Sequence, residues 1–188
     1  ARFLFIGLDA NYAADIEEQP VFIDLLNYHT DGIGFWKKYN CHHPFLLPGY
    51  TGDGKKYHQR FAKIGFNNQH ADQVSFIELL DVPTVGRNTL EHADFKPSHL
   101  ELINTAILQG KAQHIFVSAS VLKHMKQCEA FKWLPKKPKP SADLNTLKIL
   151  YQQKAKAVYL HLHFSNYGKF EQQLLKEAEF IRQLITGV

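Results

Sequence analysis

The stretch Phe3-Leu4-Phe5-Ile6-Gly7-Leu8-Asp9-Ala10-Asn11-Tyr12 constrains the fold more than any other part of this chain. Its unbroken apolar run matches a strand buried on both faces, the kind found at the centre of a parallel sheet. Gly7 is expected to let the chain turn sharply there and to bring backbone N–H groups close to a ligand. In open α/β sheets, ligands bind at the carboxyl ends of the strands, so Asp9 is expected at the lip of such a crevice. The same carboxylate also suits a helix cap or a turn, and this segment leaves both readings open.

Four apolar runs read as strands, at residues 3–8, 74–80, 114–118 and 157–162. Between them, helical spacing predicts helices over 20–27, 33–39, 55–64 and 121–128. A further helix opens at Pro97-Ser98, with Leu100, Ile103, Ala106 and Ile107 on one face, and stops at Gly110. Phe170, Leu174, Ala178, Ile181 and Ile185 form the stripe of a last helix over 170–185. Ser141 is expected to cap a helix carrying Leu144, Leu147, Ile149 and Leu150. Strands alternating with helices predict a three-layer α/β/α domain around a central four-stranded, mainly parallel sheet, spanning residues 1–188 as a single domain.

With 188 residues, 45% of them hydrophobic, the chain has ample material for a core. The 14 phenylalanines fill cores first, so they permit base stacking without arguing for it. A net charge of +4 suits a polyanionic partner. Its sharpest concentration is at 133–140, where Lys136, Lys137 and Lys139 alternate with prolines; this predicts an exposed, extended basic loop, either solvated or gripping phosphates. Cys41 and Cys128 are too few for a disulfide scaffold, which favours a reduced, cytoplasmic setting. No apolar run approaches a membrane span, and the opening strand lacks the layout of a secretory signal. A chain that starts at Ala1 in place of Met is expected to be processed or trimmed.

If the strands run parallel, Asp9, Asp81 (after the second) and His163 (after the fourth) converge on one sheet edge. Two carboxylates and an imidazole there can activate a water and stabilise a developing anion. Polar residues at strand ends are also common as caps.

At these positions the chain resembles the uracil-DNA glycosylase superfamily. Gly7-Leu8-Asp9-Ala10-Asn11-Tyr12 resembles its first motif, and Leu79-Leu80-Asp81 stands where the family ends its second strand with a base-reading asparagine. Ser118-Ala119-Ser120 resembles the glycine–serine loop after the third strand, and His163-Phe164-Ser165-Asn166-Tyr167 resembles the second motif with its DNA-intercalating residue. The resemblance implies a glycosylase-like fold and the hydrolysis of an N-glycosidic bond in DNA, without cofactor or metal, by a monomer. Asp9 would activate the water that attacks C1′, and His163 would donate a hydrogen bond to the leaving base. Gly7, Leu8, Asn11, Tyr12, Phe22 and Asp81 would form the base pocket, with Phe22 stacking on the base or serving as a core residue of its helix. Ser118, Ser120, Lys136, Lys137, Lys139, Ser165 and Asn166 would contact DNA, and Tyr167 would wedge into the stack that the base leaves.

The sequence departs from this pattern in three places. The first motif lacks its proline, Phe164 replaces the proline of the second, and Asp81 replaces the asparagine. An ionised aspartate only accepts hydrogen bonds, which implies weakened uracil selectivity or a different base. The alternative is a catalytically silent domain that keeps the fold and binds DNA or protein. A serine or cysteine hydrolase is disfavoured, since no glycine–X–serine–X–glycine elbow occurs. Cys41-His42-His43, with His58, His161 or Cys128 as further donors, reads as hydrogen-bonding histidines ahead of a zinc site. The glycine-rich loop 49–56 lacks P-loop spacing; it is expected to edge the groove, offering Tyr50 and Lys55 for contact.

Overall fold

The computed structural model describes residues 1–87, 89–140 and 147–187. The chain divides into two compact units. One comprises Ala1–Ala10, Gln73–Pro83 and Asn88–His163; the other comprises Asn11–Asp72, Thr84–Arg87 and Phe164–Val188.

The first unit is α/β. Among the described residues its strands are β1 (Phe3–Gly7), β2 (Val74–Glu78), β3 (His114–Ser118), β4 (Lys139–Pro140), β5 (Lys148–Gln153) and β6 (Lys156–His161). They form one sheet in the order β2-β1-β3-β6-β5-β4. The four expected strands are all present and mutually parallel along β2-β1-β3-β6. Beyond them, β5 runs antiparallel to both β6 and β4, so the sheet has six strands where four were expected.

The helices, in chain order, are α1 (Phe22–Thr30), α2 (Gly32–Tyr39), α3 (Lys55–Phe61), α4 (Pro97–Leu108), α5 (Ala119–Met125) and α6 (Glu171–Thr186). The helix expected around Leu147, Ile149 and Leu150 is replaced by β5; Ser141 and Leu144 lie outside the described residues. These apolar residues fit either period. What decides the matter is a hairpin with β6, turned by Lys154 in the left-handed region at φ 52°. Lysine gives no turn signal there, so the hairpin was hidden.

Every strand residue from Phe3 to Ile6 is buried, as a central parallel strand requires. On one face Leu4, Ile6, Ile115, Val117 and Val158 pack against Leu100, Ile103 and Ile107 of α4 and Val121, Leu122 and Met125 of α5. The opposite face carries an aromatic ladder across the strands. Phe5 stacks on Phe76 at 5.7 Å and on Phe116 at 4.7 Å, and Phe116 stacks on Tyr159 at 5.3 Å. Burying each such ring contributes on the order of 2–3 kcal/mol. The many phenylalanines therefore have a structural use in this sheet.

In the second unit, α2 starts at Asp31, whose carboxylate accepts from Gly34 N at 2.8 Å, and ends at Asn40 in the left-handed conformation. Arg182 of α6 donates to the carbonyls of Ile64 and Lys63 just past α3, at 2.7 and 2.8 Å.

Candidate active site at the carboxyl edge of the sheet

Because β1, β2, β3 and β6 are parallel, the residues that follow them emerge on the same edge. Asp9 follows β1, Asp81 follows β2, Ser118 closes β3, and His163 follows β6. From β1 the chain reaches β2 on one side, and from β2 it crosses to β3 on the other. The ends of β1 and β3 are thus the switch point, where open sheets bind their ligands. At roughly 4.8 Å per strand spacing, β1 and β6 stand roughly 10 Å apart with β3 between them.

The residue that sequence reasoning missed is Glu78. It ends β2 directly opposite Gly7 in the parallel register. A β-carbon on Gly7 would collide with both carboxyl oxygens of Glu78. Gly7 therefore does not turn the chain as expected: it lies within β1, outside the glycines with positive φ, and its missing side chain leaves room for a carboxyl group. Burial pushes the Glu78 carboxyl up to about 8, and the negative charge of Asp9 adds to the shift. At pH 7 Glu78 thus holds its proton beside Asp9. The imidazole Nε2 of His99, on α4, lies 2.9 Å from the Glu78 carbonyl oxygen. A glutamate within an otherwise apolar run was the available signal, but only the pairing with Gly7 gives it meaning.

His163 is half-buried, and desolvation lowers its pKa below the ordinary histidine value, so the ring is neutral at pH 7. A neutral imidazole donates one hydrogen bond without bringing a charge. Its neighbour His161 is buried and pushed down to about 3 by desolvation, with Nδ1 2.6 Å from the Leu162 carbonyl oxygen.

Asp81 is engaged elsewhere on this unit. Lys96 Nζ donates to its Oδ2 at 2.6 Å, and that hydrogen bond holds the Asp81 carboxyl below its usual range. Ser118 is buried and caps α5, its Oγ accepting from Val121 N at 3.5 Å and lying 3.0 Å from Ser120 Oγ. Ser120 is exposed, as are Lys136, Lys137 and Lys139. Lys139 lies in the two-residue edge strand β4, so the exposed, extended basic loop expected there ends in a strand: the backbone pairs with β5 at Lys139 and Pro140, a position where an edge strand tolerates proline.

The remaining candidates belong to the second unit. Asn11 takes a left-handed φ of 42°, and its side chain accepts from Thr84 Oγ1 at 3.3 Å. Tyr12 is buried: its hydroxyl lies 2.5 Å from His29 Nε2 and its ring meets Phe45 edge-on. Phe22 opens α1 and is partly buried, whereas Tyr167 is 76% exposed, with exposed Ser165 and partly buried Asn166 just before it. Tyr50 is not available for contact as expected, because it is buried in a stack on Phe45 at 3.9 Å and its hydroxyl donates to the Asp53 carbonyl. Lys55 Nζ donates to the Tyr50 carbonyl at 3.4 Å.

The histidines of 41–43 do pair. His42 Nε2 lies 3.0 Å from His58 Nδ1, and His43 stacks on His58 at 3.8 Å. Burial and the neighbouring imidazoles drive His42 and His43 well below the ordinary histidine value. Among the described residues, no group of three or more histidine, cysteine, aspartate or glutamate side chains is arranged to hold a metal ion. No described helix is long and apolar enough to cross a membrane. No protein-family model, no curated protein and no solved structure matches this chain.

Proposed function

We propose that this protein is a DNA base-excision glycosylase, which hydrolyses the N-glycosidic bond of a uracil or another deaminated or damaged base flipped from DNA. The observation that carries the reading is the common edge of Asp9 and His163, on either side of the β3 end. In this reaction Asp9 takes a proton from water as its oxygen attacks C1′. The C1′–N bond breaks, and the electron pair leaves with the base. His163, neutral and half-buried, donates a hydrogen bond to the base oxygen on which that charge collects. One preorganised donor of this kind is worth about 3 kcal/mol in the transition state.

The exposed Ser120, Lys136, Lys137 and Lys139 suit phosphate contacts, which position DNA without reading its sequence. The exposed Tyr167 suits a wedge. The proposal carries with it the three-layer, uracil-DNA glycosylase-like arrangement, a monomeric state and a cytoplasmic setting.

The test is single-turnover base release from oligonucleotides containing uracil, a thymine mismatch, hypoxanthine or xanthine, single- and double-stranded. Release that Asp9→Asn and His163→Ala both suppress supports the proposal. Intact DNA binding without release from any substrate replaces it with a silent DNA-binding domain.

A further inference from the structure

Within the site proposed above, three observations on Glu78 call for a role. It stands in register with Gly7, its carboxyl group fills the space a side chain at Gly7 would take, and Asp9 follows two residues after that glycine. Placing a carboxyl group there costs stability unless it is kept neutral. The charged and titratable groups around it on this unit are Asp9, whose charge acts on it directly, His99 at its backbone carbonyl, and the ion-paired Lys96 and Asp81.

We propose that Glu78 is the positioning partner of Asp9: its carboxyl group, seated in the space beside Gly7, gives Asp9 a neutral neighbour and leaves Asp9 to accept the proton of the attacking water. The inference rests on the glycosylase reading for its catalytic consequence, but the neutral Glu78 is a property of the protein alone. During hydrolysis Asp9 accepts a proton from water while Glu78 stays neutral, so Glu78 adds no negative charge as the electron pair builds on the base. Release of one proton to solvent restores the starting state.

The arrangement also sets an upper pH limit. Burial and Asp9 together push the Glu78 carboxyl up to about 8. Above that value Glu78 ionises, two negative charges face each other, and the edge repels both the departing base and the DNA backbone.

The experiment is a ¹³C NMR titration of the glutamate side-chain carboxyls in the whole protein, followed by base release against pH. Glu78 is expected to titrate near pH 8, and its midpoint to move down in Asp9→Asn. Base release is expected to fall tenfold or more between pH 7 and pH 9.5, and Glu78→Gln, which keeps a neutral donor, is expected to abolish that fall. A Glu78 that titrates in the ordinary carboxylate range, or a midpoint indifferent to Asp9→Asn, overturns the proposal. So does a pH profile that Glu78→Gln leaves unchanged. A Glu78 that titrates near pH 8 and responds to Asp9→Asn, with no base release from any oligonucleotide, supports the positioning pair and counts against the glycosylase reading instead, so the two failures are distinct. The wild-type titration and Asp9→Asn do not depend on whether Glu78→Gln folds.

Discussion

Glu78 faces Gly7 across the β1–β2 pair, and its carboxyl group occupies the space where a side chain on Gly7 would begin. A protonated acid at the end of an edge strand, set against the central strand β1, is an uneconomical way to build a sheet. It is a sound way to build a reactive edge, because active sites are where carboxyl groups are held away from their ordinary protonation state.

Replacing Glu78 tests that trade directly. The carboxyl is raised in the folded state, so its contribution to stability is present below the unfolded value and is lost as pH rises towards about 8. Glu78→Gln is therefore expected to stabilise the protein at pH 7 by on the order of 2–3 kcal/mol and to change little at pH 4. Urea unfolding at the two pH values checks it; equal effects at both would contradict it.

Gly7→Ala moves the same group without removing it. The atoms nearest the new methyl are the far end of the flexible Glu78 side chain, and Gly7 does not need a positive φ. Stability is expected to stay within about 1 kcal/mol of the wild type. Base release is expected to fall about tenfold as the Glu78 carboxyl is displaced, a loss of about 1.4 kcal/mol in transition-state stabilisation. Thermal unfolding beside single-turnover kinetics separates the two effects.

Asp81→Asn asks whether the residue after β2 reads the base. An amide both donates and accepts, so uracil release is expected to rise relative to the other bases. The change also frees Lys96, whose exposed ion pair contributes little to stability. Unchanged or reduced uracil release would remove Asp81 from the base pocket.

His161 governs stability on the acid side. Its folded pKa is depressed to about 3, so the unfolded chain takes up the proton first as pH falls below the ordinary histidine value. About 2 kcal/mol of stability is expected to disappear between pH 7 and pH 5 through this one ring. His161→Gln should flatten that part of the profile; an unchanged slope would assign it to the other buried histidines.

Lys156 closes the carboxyl end of α4, with Nζ donating to the carbonyls of Ile107 and Gly110 at 2.6 and 2.8 Å. Lys156→Met is expected to cost about 1–2 kcal/mol in chemical unfolding and to leave base release intact. A loss of activity without a loss of stability would give this lysine a functional part that its contacts do not indicate.

The parallel strands and the longer helices were legible because a buried strand shows an unbroken apolar run and an amphipathic helix shows a stripe. His114–Ser118 matches its expected bounds, and α4 begins at the expected Pro97. The β5–β6 hairpin was not legible, since its turn residue Lys154 carries no glycine or asparagine signal. The edge positions of Asp9 and His163 followed from strand direction alone. Glu78 did not, because its partner Gly7 lies 71 positions earlier and only strand pairing joins them. Tyr50 shows the reverse: it was read as open to a ligand, and it is buried in a stack on Phe45. Spacing along a chain does not reveal competing partners from other elements.

The most direct measurement is single-turnover release of free base from a uracil-containing oligonucleotide by the wild type, Asp9→Asn and His163→Ala, repeated with hypoxanthine and xanthine. The wild type is expected to release at least one of these bases, at a rate reduced about a hundredfold in each variant. Wild-type release of none, or release that survives both substitutions, would contradict it.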